Sequence, residues 1–111
     1  MDAELTKSFV FSASYTRGKR FIGSNYILSL SLPALDETAE KELETIVQSE
    51  LISKIHTRDL SEGVSFLKGA EMSDASLLRA FWARLSAPLA QYGLRRLALQ
   101  RDSRTVTTLH L

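Results

Sequence analysis

Two stretches of strict alternation near the start of the chain constrain its fold most. In residues 7–15, Phe9, Phe11, Ala13 and Tyr15 fall on one side while Ser8, Val10, Ser12 and Ser14 fall on the other. Successive side chains of a strand point to opposite faces, so this period of two predicts a strand with one buried face. Residues 25–32 repeat it, with Tyr26, Leu28, Leu30 and Leu32 opposite Ser29 and Ser31. Residues 16–24 hold Gly18 and Gly23 among Arg17, Lys19 and Arg20, which predicts a turn and an antiparallel hairpin. Val10 and Ile27 place apolar groups on both faces of that hairpin, a pattern that points to contact with another chain.

Pro33 ends the second strand, because it cannot donate to a ladder. Asp36 then caps a helix predicted over about Glu37–Ile55, with acids in its first turns and an apolar stripe of Leu43, Ile46, Val47 and Ile55. A loop from His56 to Met72 follows. Ser73 caps a second helix with a core stripe of Leu78, Phe81, Trp82, Leu85 and Leu89; Pro88 is expected to kink it and Gly93 to end it. Leu94–Gln100 and Thr105–Leu111 read as strands joined by the polar turn Arg101–Arg104. The chain is thus predicted to be a single α+β domain over residues 1–111, ordered β-β-α-α-β-β, with a four-stranded antiparallel sheet and two helices on one face.

Composition excludes more than it assigns. There is no cysteine, which removes disulfides, thiolate metal sites and cysteine nucleophiles. The net charge is +1, so no overall field draws nucleic acid or a membrane. No apolar run is long enough to span a bilayer, and no signal peptide is visible, so the expected location is cytoplasmic. Charge is nevertheless segregated. Asp36, Glu37, Glu40, Glu42, Glu44 and Glu50 crowd one segment, and Arg79, Arg84, Arg95, Arg96, Arg101 and Arg104 fall in the last third. These are either solvated faces of opposite sign or complementary surfaces of a homo-oligomer. The basic turn Arg17–Arg20 is either solvated or a phosphate contact.

Three local strings fit this order of elements to a known pattern. Phe11-Ser12-Ala13-Ser14-Tyr15 is similar to Phe-Ser/Asp-Ala-Ser/Ala-His, and Gly23-Ser24-Asn25-Tyr26 to the second half of His-Gly-His-Asn-Tyr. Ile55-His56-Thr57-Arg58-Asp59-Leu60 is similar to Leu-Asp-His-Arg-Asn-Leu. Over nearly its whole length the chain resembles the 6-pyruvoyl-tetrahydropterin synthases and the related 6-carboxytetrahydropterin synthases, which share the tunnelling fold.

The resemblance implies a zinc-dependent synthase, and the chain departs from it where the chemistry sits. By position, the three zinc histidines of the family are Tyr15, Ile22 and Ser24 here, and a zinc site of this type needs three protein ligands and one open position. The family cysteine has no counterpart in the short loop around Gly18. The family Asp-His pair falls on His56 and Thr57 without a gap, which keeps Arg58, Leu60 and Trp82 in register; a one-residue shift would keep His56 as the catalytic histidine, with Ile55 in place of the acid. The helix-start acid becomes Ala75, and the acid that anchors the pterin ring becomes Gln100. A glutamine amide offers one acceptor and one donor where a carboxylate offers two acceptors.

These departures predict a non-catalytic or repurposed homo-oligomer with no metal and no catalytic residues. One alternative is metal-independent binding or conversion of a planar pterin-like or purine-like heterocycle anchored by Gln100, with Tyr15, Ser24, Asn25, His56 and Thr57 around it. The other is a surviving pterin synthase with an altered site. His110, in the last strand, is expected to be structural.

Overall fold

A computed structural model describes residues 3–69 and 71–111, together with all side chains in that range except that of Arg17. The expectations for residues 1, 2 and 70 lie outside it. Strand β1 (Glu4–Arg17) pairs antiparallel with β2 (Arg20–Pro33) along their full length, from Glu4↔Pro33 to Arg17↔Arg20. The expected broad turn over residues 16–24 is therefore corrected to two residues, Gly18 and Lys19. Gly18 has φ +63° and Lys19 does not share that sign. This is the type II′ pattern, whose twist matches that of the flanking strands and lets them run on to the turn.

The helix predicted to Ile55 is present in three continuous pieces: α1 (Glu37–Val47), a π-helical segment (Gln48–Ile52) and α2 (Ser53–Ile55). Asp36 caps it, accepting from the Ala39 amide at 2.8 Å. The π segment has a cause in the sequence. Leu43, Val47, Leu51 and Ile55, all fully buried, recur every fourth residue. Each such step drifts about 40° around an α-helix, and the wider π turn absorbs the drift. Ile46, expected in the stripe, is only half-buried.

The loop after α2 contains a two-residue strand, β3 (Arg58–Asp59), parallel to β1 at Ala13 and Ser14. The sheet therefore has five strands in the order β3-β1-β2-β4-β5, not four, where β4 is Arg96–Gln100 and β5 is Val106–His110. A strand this short leaves no periodicity to read. Helix α3 (Asp74–Leu85) begins at its Ser73 cap but ends eight residues before Gly93. Pro88 stops the helix instead of kinking it, because the residue before a proline is pushed out of helical geometry. Its buried face is Leu77, Leu78, Phe81 and Leu85; Trp82 is half-buried at the edge of the core, not within it.

The core lies between one sheet face and the helices. Phe9, Phe11, Ala13, Tyr15, Tyr26, Leu28, Leu30, Leu32, Leu97 and Leu99 supply the sheet side. Phe11 stacks on Tyr26 with ring centroids 5.1 Å apart and meets Phe81 edge-on at 6.1 Å. The other sheet face is open. Val10 is 67% exposed there, and His110 stands exposed opposite Arg96. No helix among the described residues is long and apolar enough to cross a membrane.

The segregated charges are largely spent within the chain. Lys7 bridges Glu40 and Glu44, Lys41 meets Glu37, and Arg84 meets Glu50. Arg95 and Arg96 both hold Glu4, and Arg101 holds Asp74.

Candidate functional site

Strand register divides the candidate residues into three groups. Tyr15 lies opposite Ile22, and Ala13 opposite Ser24, so Tyr15, Ile22 and Ser24 stand side by side on the core face. Asn25 lies opposite Ser12 and Gln100 opposite Ile27, which puts them on the open face. His56 and Thr57 are exposed at the outer edge of β1. The six candidates therefore do not line one pocket: a period of two places neighbours such as Ser24 and Asn25 on opposite sides.

On the core face, Tyr15 joins three residues that sequence reasoning did not select: Tyr26, Asp74 and Arg101. Asp74 opens α3, and its side chain is only 11% exposed. Arg101 follows β4; its Nε donates to Asp74 Oδ2 at 3.1 Å, and its carbonyl accepts from Ser24 Oγ at 2.7 Å. The Asp74 charge, then its hydrogen bond, holds the Arg101 guanidinium further above its usual range. The Tyr26 hydroxyl and Asp74 Oδ1 are buried and have no hydrogen-bond partner among the described residues. Burial above all, then the charges of Tyr15 and Asp74, pushes the Tyr26 phenol up to about 12, against the opposing pull of Arg101. The sequence signal for this cluster was Asp74 itself, one residue before the Ala75 that the family pattern marks as a lost acid.

The open-face group frames a cavity of about 260 Å³, lined by Asn25, Ile27, Gln100, Arg101, Asp102 and Ser103. Gln100 Nε2 donates to the Asp102 carbonyl at 3.0 Å, and Asn25 Oδ1 accepts from Ser12 Oγ. Gln100 Oε1 and Asn25 Nδ2 have no partner in these bonds, so an acceptor and a donor are available. The Asp102 carboxylate accepts from the amides of Arg104 and Thr105, and chiefly the Arg104 bond holds it below the usual carboxylate range.

At the strand edge, His56 Nδ1 accepts from the Ser12 amide at 3.0 Å. This bond assigns the neutral tautomer with the proton on Nε2, and it occupies the ring's one basic lone pair. Among the described residues, no carboxylate bonds the ring. Thr57 is at φ +61°, a left-handed conformation that a β-branched residue rarely adopts. Its amide donates to Ser12 O at 2.6 Å, and its hydroxyl donates to the His56 carbonyl at 2.7 Å.

No protein-family profile matches the chain, and no curated protein matches it in sequence. Solved structures do match. The structure of Caenorhabditis elegans 6-pyruvoyl tetrahydropterin synthase aligns over 98% of this chain and 95% of that one, with a TM-score of 0.80. The fold is that of a 6-pyruvoyl tetrahydropterin synthase. Sequence identity is 14%, so the likeness carries the architecture, and the roles of side chains rest on local chemistry. The positions that the sequence resemblance assigns to zinc carry a phenol, an alkyl group and a hydroxyl already bonded to the Arg101 carbonyl. Among the described residues, no three His, Cys, Asp or Glu side chains gather as a metal site. This donor set does not fit zinc, which takes imidazole, thiolate or carboxylate ligands.

Proposed function

We propose that this chain is a non-catalytic or repurposed protein with the 6-pyruvoyl tetrahydropterin synthase fold, working in the cytoplasm as a homo-oligomer without the zinc site. The donor set carries this reading: Tyr15, Ile22 and Ser24 share one face at neighbouring register positions, and none of them is a zinc ligand of the usual kind. The spent lone pair of His56 supports it, since a general base needs a free one. Assembly draws support from the sheet. Its two edge strands are β3, which covers β1 only at Ala13 and Ser14, and β5. Long open edges are normally covered, and pairing between copies covers them.

Two measurements on the purified chain test this reading. Metal analysis is expected to find no stoichiometric zinc, and light scattering to find a closed oligomer. Stoichiometric zinc with turnover of dihydroneopterin triphosphate would establish a surviving synthase instead, and a monomer at micromolar concentration would remove the assembly.

The cavity beside Gln100 favours a second reading, a planar heterocycle bound without metal. Its free acceptor and donor suit a lactam-like edge, and ligands that bind only the native state raise its stability. A thermal-shift screen of pterins and purines tests this, with Gln100→Ala expected to abolish any shift. A shift that survives the substitution would locate binding elsewhere.

A further inference from the structure

We propose that the cleft between α2 and the loop that follows it binds the phosphate group of a small phosphorylated molecule. The cleft, of about 390 Å³, is lined by Ser53, Lys54, Arg58, Gly63, Val64, Ser65 and Phe66, and no carboxylate is among them. Lys54 and Arg58 form no ion pair among the described residues, as is also true of Lys19, Arg20, Lys68, Arg79 and Arg104; what sets them apart is that both line one cleft without a carboxylate.

The acids nearest in the chain are turned elsewhere. Asp59 accepts from the Ser61 amide at 2.9 Å and from the Ser61 hydroxyl, and these bonds hold its carboxyl below the usual range. Glu50 faces Arg84. Glu62, exposed in the same loop, does not line the cleft. Two uncompensated cations therefore share one concave surface, the arrangement that attracts a dianion and that an arginine fork reads bidentately.

The loop wall is fixed rather than open-ended. Leu60 donates to Ser14 O at 2.6 Å, Thr57 to Ser12 O at 2.6 Å and Gly63 to Asp59 O at 2.7 Å. The left-handed turn at Thr57 directs the chain into Arg58. Strain of this kind is retained where the surroundings over-determine it, and it concentrates at ligand clamps. Ser65 is exposed and lines the cleft, and its hydroxyl makes no hydrogen bond among the described residues, so it can donate to a phosphate oxygen. Phe66, half-buried beneath the Arg84 guanidinium at 5.4 Å, gives an apolar wall for the organic part of the ligand. The cleft shares no lining residue with the Gln100 cavity, and this inference stands or falls apart from the function proposed above.

The experiment is an amide NMR titration of the full chain with inorganic phosphate and then phenyl phosphate, with sodium chloride adjusted to hold ionic strength constant. Saturating shifts confined to the amides between Ser53 and Phe66 are expected for both. Lys54→Ala and Arg58→Ala should each weaken binding by about tenfold. The rest of the spectrum certifies that the variants are folded. Shifts that drift without saturating, that centre on Lys19 and Arg20, or that persist unchanged in the double variant would each overturn the proposal.

Discussion

Tyr26 carries one of the two buried side-chain atoms without a hydrogen-bond partner among the described residues, and its replacement by phenylalanine gives a two-part prediction. The ring is fully buried and stacks on Phe11, yet its hydroxyl has no hydrogen-bond partner. An unpaired buried hydroxyl costs about 1–3 kcal/mol. Tyr26→Phe keeps the ring and deletes that cost, so it is expected to stabilise the chain by about 1 kcal/mol at pH 7, or about 4 °C in Tm. The second part concerns alkaline pH. The phenol rises from an ordinary 10.0 to about 12, chiefly through burial. A folded value above the unfolded one means that its contribution is complete below pH 10 and is lost as pH climbs towards 12. Two units correspond to about 3 kcal/mol, lost progressively across that interval.

Urea unfolding of both proteins at pH 7, 9.5, 10.5 and 11.5 reads the two effects together. The advantage of the variant should be about 1 kcal/mol at pH 7 and should widen by about 1.4 kcal/mol per unit above pH 10. A variant less stable by 1 kcal/mol or more at pH 7 would show that the hydroxyl has a partner in solution. A difference that stays constant with pH would show that the phenol is not desolvated.

Further changes probe the loop and the ion pair. Arg101→Met removes the only hydrogen bond to the Asp74 side chain among the described residues, a side chain 11% exposed, and is expected to cost about 2 kcal/mol; Arg101 is 39% exposed, which keeps the loss below that of a fully buried pair. In urea unfolding, Asp74→Asn with Arg101→Met should lose less than the sum of the single changes. Gly63→Ala builds a Cβ 2.9 Å from the Asp59 carbonyl, so the loop must shift at a cost of about 1–3 kcal/mol in Tm-derived stability. Thr57→Gly relieves the left-handed strain at φ +61°, worth about 1–3 kcal/mol, against about 0.5–1 kcal/mol of added chain entropy, and calorimetry should show a net gain.

The fold was legible wherever a period ran long enough to mark a face. Phe9 to Tyr15 and Tyr26 to Leu32 alternate without a break, and their inward residues are all buried as expected. The Asp36 and Ser73 caps are local chemistry and were readable for that reason. What could not be read depends on distant partners. The pairing of Arg58 and Asp59 with β1 is set by Ala13 and Ser14, more than forty residues earlier in the chain. Whether Ser24, Asn25 and Gln100 share a pocket depends on which sheet face each takes, so string matching grouped residues that register then separated. Thr57 shows the limit most plainly: nothing in a threonine announces φ +61°, because the surrounding hydrogen bonds impose it.

The core-face cluster also bears on how the chain holds its shape without zinc ligands at the family positions. In the resemblance, those positions tie two adjacent strands through a metal. Here the tie is made of protein groups and reaches further. Ser24 on β2 bonds the Arg101 carbonyl after β4, and the Arg101 guanidinium bonds Asp74 in the first turn of α3. A carboxylate suits that turn, where the helix dipole favours negative charge. The chain β2–Arg101–α3 therefore fastens the end of the sheet to the helix layer through hydrogen bonds and an ion pair. A fastening of this kind is indifferent to chelators and sensitive to charge. Incubation with EDTA or 1,10-phenanthroline is expected to leave Tm unchanged, while Arg101→Met lowers it by about 8 °C. A chelator-induced fall of several degrees, reversed by added zinc, would return the metal to the fold and refute the protein-only tie.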